Sequence, residues 1–134
     1  MEVANLSGYY PKTIEACFIG NKIRSIINFN AEYLKDVRGL NFNAPALVTL
    51  DIRNLKMSLN LSKCPLIDLT SWQGLVSRAA NTDAITVTVH PDVYAKLNGD
   101  MTNEAAAATP ADELAQWQAL IAQAAEKQIT FATT

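Results

Sequence analysis

The chain has 134 residues and a mass of 14.6 kDa, the size of one domain with room for a substantial hydrophobic core. Hydrophobic residues at 49% and charged residues at 18% exclude wholesale disorder, and 11 Lys+Arg against 13 Asp+Glu argue against a dedicated nucleic-acid binder. No run approaches the ~18 apolar residues of a membrane span, and the opening Met1-Glu2-Val3-Ala4-Asn5 has neither a basic nor an apolar leader region, so neither membrane insertion nor a signal peptide is expected.

Charge and composition divide the chain. Residues 1–80 carry nine Lys+Arg and six Asp+Glu, whereas residues 81–134 carry two and seven. Asn is frequent before residue 61 and Ala dominates from Glu104 onward. The expected organisation is a repeat-built region over 1–70 and an α/β region over 71–134, sharing one core.

In the first region, apolar–Asn/Asp–apolar triplets recur: Ile27-Asn28-Phe29, Leu40-Asn41-Phe42, Leu50-Asp51-Ile52, Leu59-Asn60-Leu61 and Ile67-Asp68-Leu69. Each reads as a short strand with two side chains on one face and the middle one on the other. Asn21 is a candidate cap for the turn entering the first of these strands. The step from Phe29 to Ile52 is 23 residues, within the ~20–29 of a leucine-rich repeat. The expected fold class is therefore α/β: a short, degenerate leucine-rich-repeat-like solenoid with a C-terminal α/β cap.

In the second region, Ser71–Ala80 has Trp72, Leu75, Val76 and Ala79 at helical spacing. Ile85–Val89 alternates strictly and reads as a strand. His90 then precedes Pro91 as a helix N-cap, with Asp92 in the first turn, Val93 and Leu97 facing one way, and Asn98-Gly99 as the stop. Residues 100–108 read as an exposed loop or a frayed turn. A longer helix follows, with Thr109 as cap, Pro110 at its first position, Leu114, Trp117, Ile121, Ala124 and Ala125 as its apolar stripe, and Lys127 at its negative pole. Ile129-Thr130-Phe131 closes the chain as a strand.

If the triplets stack, their middle residues Asn28, Asn41, Asp51, Asn60 and Asp68 form one column on an exposed sheet face. Asn30, Asn43, Arg53, Ser62 and Thr70 form a second, two residues on. Amides, carboxylates and an Arg in such an array suit a protein or glycan surface, although exposed strand positions are polar in any case. His90 is the sole histidine. A general base needs an oriented partner and a substrate site, and a nearby Asp92 alone supplies neither, so the capping role accounts for it. No catalytic serine elbow, zinc-protease motif or phosphate loop occurs. Asn98, Asp100, Asn103 and Glu104 place oxygen donors in one loop without the calcium-loop pattern, so neither a metal nor another cofactor is expected. Cys17 and Cys64 read as buried free thiols rather than a disulfide, and Trp72 and Trp117 as core residues rather than sugar platforms.

The stretches AANTDAITVTVHPDVYAKLNGD and TPADELAQWQALIAQAAEKQITFAT resemble the C-terminal region of leucine-rich-repeat proteins of gut Bacteroidales and their phages and prophages. The resemblance spans roughly residues 14–134. It implies a non-enzymatic binding or structural module on a bacterial surface or virion appendage, with adhesion to host protein or glycan as the alternative. A small hydrolase using His90 is a lesser alternative that the resemblance does not imply and that would need a hidden catalytic group around that residue. About two and a half repeats are read here before the terminal unit, and family members usually carry more sequence upstream. A solenoid with few repeats and an uncovered N-terminal end points to self-association, with a trimer favoured.

Overall fold

A computed structural model describes residues 3–8, 22–34 and 43–134. Asn21, Cys17 and the Leu40-Asn41-Phe42 triplet lie outside the described residues. Short apolar runs punctuated by Asn and Asp give the strands β1 (Val3–Asn5), β2 (Ser25–Asn30), β3 (Thr49–Arg53) and β4 (Leu59–Leu61). These are followed by helix α1 (Leu69–Ser77), strand β5 (Ile85–Val89), helices α2 (Pro91–Asn98), α3 (Glu104–Ala107) and α4 (Ala111–Glu126), and strand β6 (Ile129–Thr133).

The strands form two parallel three-stranded sheets, ordered β1-β2-β3 and β4-β5-β6. In the first, Val3 lies opposite Ser25 and Ser25 opposite Thr49. In the second, Leu59 lies opposite Val87 and Ile85 opposite Ile129. The chain crosses from the first sheet to the second between β3 and β4. It then lays α1 against β3, pairs β5 with β4, packs α4 against α1 and pairs β6 with β5. A single cluster of buried residues runs through both sheets and the helices, with Ile26, Phe29, Leu50, Ile52, Leu61, Val87, Trp72 and Trp117 at its centre.

Three of the expected triplets are strands, but they do not make one column. Asn28 and Asp51 belong to the first sheet and Asn60 to the second. Asp68 is in no strand. Its carboxylate accepts the Ser71 N–H at 2.9 Å and caps α1, so an acid ahead of an amphipathic run acts as a helix start here. The cap also begins the helix at Leu69, two residues before the expected Ser71. β1 had no signal in the sequence beyond one apolar–Ala–Asn step.

The join between β3 and α1 is made by backbone groups that a strand neighbour would otherwise satisfy. The Leu50 N–H donates to Ser71 Oγ at 3.0 Å, the Asp68 N–H to the Val48 carbonyl at 2.9 Å, and the Asn54 N–H to the Arg78 carbonyl at 2.9 Å. Ser71 is the one buried polar residue among those described. Its hydroxyl stands where the next strand's acceptor would be.

α2 follows its sequence signals: His90 Nδ1 accepts the Asp92 N–H at 3.0 Å, Pro91 opens the helix, and Gly99 at φ 64° closes it in the left-handed conformation that glycine adopts without strain. The segment 100–108, expected as a loop or a frayed turn, contains the four-residue helix α3, capped by Asn103, whose Oδ1 accepts the Ala106 N–H. Thr109 does not cap α4. Its hydroxyl donates to the Ala105 carbonyl, and Pro110 occupies the cap position with no side-chain hydrogen bond. The buried stripe of α4 is Leu114, Trp117, Leu120 and Ala124. Ile121 is 41% exposed and Ala125 is exposed. Lys127 serves α1 rather than its own helix, with Nζ donating to the Ser77 and Ala79 carbonyls at 3.3 Å each.

Both tryptophans are core residues, each 1% exposed. Trp72 meets Phe131 edge-on, with ring centroids 5.9 Å apart. Trp117 donates from Nε1 to Glu113, and Lys96 Nζ lies 5.1 Å from its ring centroid. Trp117→Ala is expected to cost about 3–5 kcal/mol in urea denaturation, by transfer loss plus a cavity. A cost below about 1 kcal/mol would place that ring outside the core.

Candidate functional site

The polar face of β1-β2-β3 begins with backbone geometry. β2 is bulged between Ile26 and Phe29, and Asn28 at the bulge has φ 59°. Asn tolerates that left-handed conformation better than most residues, which accounts for its presence inside a strand. Asn54, immediately after β3, adopts φ 57° for the same turn-like purpose and donates to Asn30 Oδ1 at 3.0 Å. On the neighbouring row Asn28 Nδ2 donates to Asn5 Oδ1 at 3.0 Å, while Asn5 Oδ1 also accepts the Ser7 N–H.

Asp51 is the hub of this face. Its Oδ2 accepts the Asn28 N–H at 3.0 Å and Arg53 Nη2 at 3.2 Å; its Oδ1 accepts Arg78 Nη1 at 2.7 Å and Arg53 Nε at 3.4 Å. Burial alone would raise its pKa, but the Arg53 side-chain and Asn28 backbone hydrogen bonds, with the charges of Arg53 and Arg78, hold it below the usual carboxylate value. Arg53 and Arg78 are about half exposed, with side chains at 49% and 51%. Between β3 and α1 the two guanidiniums border a cavity of about 220 Å³, which Thr49, Asp68, Thr70 and Gly74 also line.

Of the eight residues expected to bind, Asn28, Asp51, Asn30 and Arg53 are brought together here. Asn30 and Arg53 are register partners, and Arg53 Nη2 reaches Asn28 Oδ1 at 3.5 Å. Asn60 is separated from them in the other sheet, where its Oδ1 accepts the Ser62 N–H in a local turn. Asp68 reaches the cavity from the start of α1 rather than from a strand, and Thr70 from the first turn of that helix. Asn43 is exposed ahead of β3 and outside any strand; Asn41 lies outside the described residues. Arg78 had no sequence signal as a site residue. It closes α1 and reaches Asp51 only because α1 lies against β3.

His90 Nδ1 is engaged in the α2 cap, with Asp92 Oδ2 3.8 Å away. Asp100 accepts the Thr102 hydroxyl at 2.6 Å and the Thr102 N–H at 3.1 Å, which lower its pKa. Among the described residues no group of three or more His, Cys, Asp or Glu is arranged to hold a metal. Among the described residues no helix is long and apolar enough to cross a membrane. Cys64 is buried, and burial pushes its thiol pKa up to about 11, against the smaller opposing effect of a hydrogen bond with the Ala44 backbone. Comparisons with family models, curated proteins and solved structures find no match to the chain.

Because folding depresses the Asp51 pKa, its stabilisation is complete above the unfolded value near ~3.9 and is lost as pH falls through the lower folded value. Asp51→Asn is expected to cost about 1–2 kcal/mol at neutral pH, shrinking toward zero under acid conditions. Urea midpoints of both proteins across pH 2–7 check this, and a cost independent of pH would contradict it. His90→Ala is expected to lower stability by about 1 kcal/mol in thermal melts, with His90→Asn restoring most of the loss.

Proposed function

We propose that the chain is a short leucine-rich-repeat-like solenoid with a C-terminal α/β cap, acting as a non-enzymatic binding or structural module through the polar face of β1-β2-β3. The observation that carries this reading is the parallel return of the chain to its own sheet. Partners are 22 residues apart from β1 to β2 and 24 then 23 from β2 to β3, within the ~20–29 of a leucine-rich repeat. The offsets lengthen to 28 and 44 in the second sheet, where helices fill the connections. In this reading α1 and α4 are coils in which a helix replaces the strand of the first sheet, and the residues from α1 onward close the end of the solenoid.

The setting is a bacterial surface or a phage or prophage appendage, on the strength of the sequence resemblance. Adhesion to host protein or glycan is the alternative use of the same face. Self-association follows from the ends. Among the described residues no strand pairs with the outer edge of β1, where Val3 is 53% exposed, and an open parallel edge favours pairing with another chain. A trimer closes such a contact in an appendage. Light scattering coupled to size-exclusion chromatography is expected to give three times 14.6 kDa. A monomer at micromolar concentration would overturn self-association and favour the adhesion reading. A dimer would keep self-association and remove the appendage setting.

A further inference from the structure

We propose that the cavity between β3 and α1 binds a carboxylated sugar, with the Arg53 and Arg78 guanidiniums gripping the carboxylate. The proposal rests on the reading of this sheet face as a binding surface and gives that face a ligand chemistry.

Asp51 is the positioning residue. Both of its oxygens are taken up by the Asn28 N–H and the two arginines, so it fixes the guanidiniums without being open to a ligand itself. The arginines keep donors in reserve. Among the described residues Arg78 commits only Nη1, to Asp51, leaving Nε and Nη2, and Arg53 commits Nε and Nη2, leaving Nη1. Two cations on one carboxylate leave one guanidinium charge that Asp51 does not neutralise, and planar guanidiniums pair with carboxylates in bidentate fashion. Asp68, the remaining acid in the lining, is spent on the α1 N-terminus, where its Oδ1 accepts the Ser71 N–H and its charge meets the positive end of the helix.

Size and wall chemistry favour a sugar over an acidic peptide. At about 220 Å³ the cavity is smaller than the ~300–1,000 Å³ of sites for drug-sized ligands, so it takes one small unit. Thr49 and Thr70 border it, offering hydroxyl partners to a ring that carries hydroxyls beside its carboxylate. The row continues into the amides of Asn28 and Asn30. Gly74 leaves the wall beside Arg78 without a side chain.

The test titrates the full chain, labelled with nitrogen-15, with oligogalacturonate, with a neutral galactose oligomer of equal length and with a glutamate-rich peptide. The signals followed are those of the Arg53 and Arg78 Nε–H groups. Shifts with the uronide alone, and a Kd weakened at least about tenfold by Arg78→Gln in a protein whose backbone spectrum is unchanged, are the expected result. Arg53→Gln serves as the second variant should Arg78→Gln fail to fold, and Arg78→Lys should fall between parent and Gln. Equal binding of the neutral oligomer would overturn the carboxylate, and equal binding of the peptide would overturn the sugar. No shift at either arginine with any probe would overturn the site. Shifts confined to Asn28 and Asn30 on adding the neutral oligomer would overturn the site as well, while leaving the broader binding face standing.

Discussion

The far edge of β3 is the constraint on which the arrangement depends. On one side β3 has β2 as its partner; on the other the chain supplies a helix, which cannot continue a strand ladder. Backbone N–H and carbonyl groups left there would be buried without partners at a cost of about 1–3 kcal/mol each. Ser71 meets the second residue of the strand, Asp68 the residue before the strand and Arg78 the residue after it. These bonds fix the position of α1 along β3. They thereby set Trp72 into the core and bring the Arg78 side chain to Asp51. Core and polar face share one set of supports.

Lys127 extends the same arrangement outward. A cation from the end of α4 reaches the Ser77 and Ala79 carbonyls at the end of α1, the negative pole of that helix. The last helix is thus tied by charge to the first, and through it to β3. Trp72 against Phe131 forms a second tie between α1 and the final strand, by ring contact instead of charge.

What could be read from the sequence was local. The alternation of Ile85–Val89 and the punctuation of α2 by His90-Pro91 and Asn98-Gly99 are written in adjacent residues, and both appear as expected. An apolar–Asn–apolar triplet also announces a strand, but nothing within three residues states which sheet it joins, so Asn60 was grouped with Asn28. The Asp68 triplet matched the same pattern for a different reason, since Asp before an amphipathic run is equally a helix cap. In α4, Leu120 and Ile121 both fit helical spacing from Trp117, and only the neighbours on each side decide which is buried. Half of the expected binding residues converge on one face. Arg78, which completes it, came from a part of the sequence with no local motif, because its placement depends on packing between residues 27 positions apart.

The two sheets differ in how much chain they allow between partners. Along the first, successive strands follow after 22 to 24 residues; along the second, β6 follows β5 after 44, with three helices between them and the parallel register intact. The corner after β5 is therefore the tolerant point of the architecture, where extra sequence is absorbed outside the ladder at a loop-closure cost that grows only slowly with length. Added length there would leave the face built on Asp51 in place, since α2 and α3 already lie in that connection without breaking the ladder.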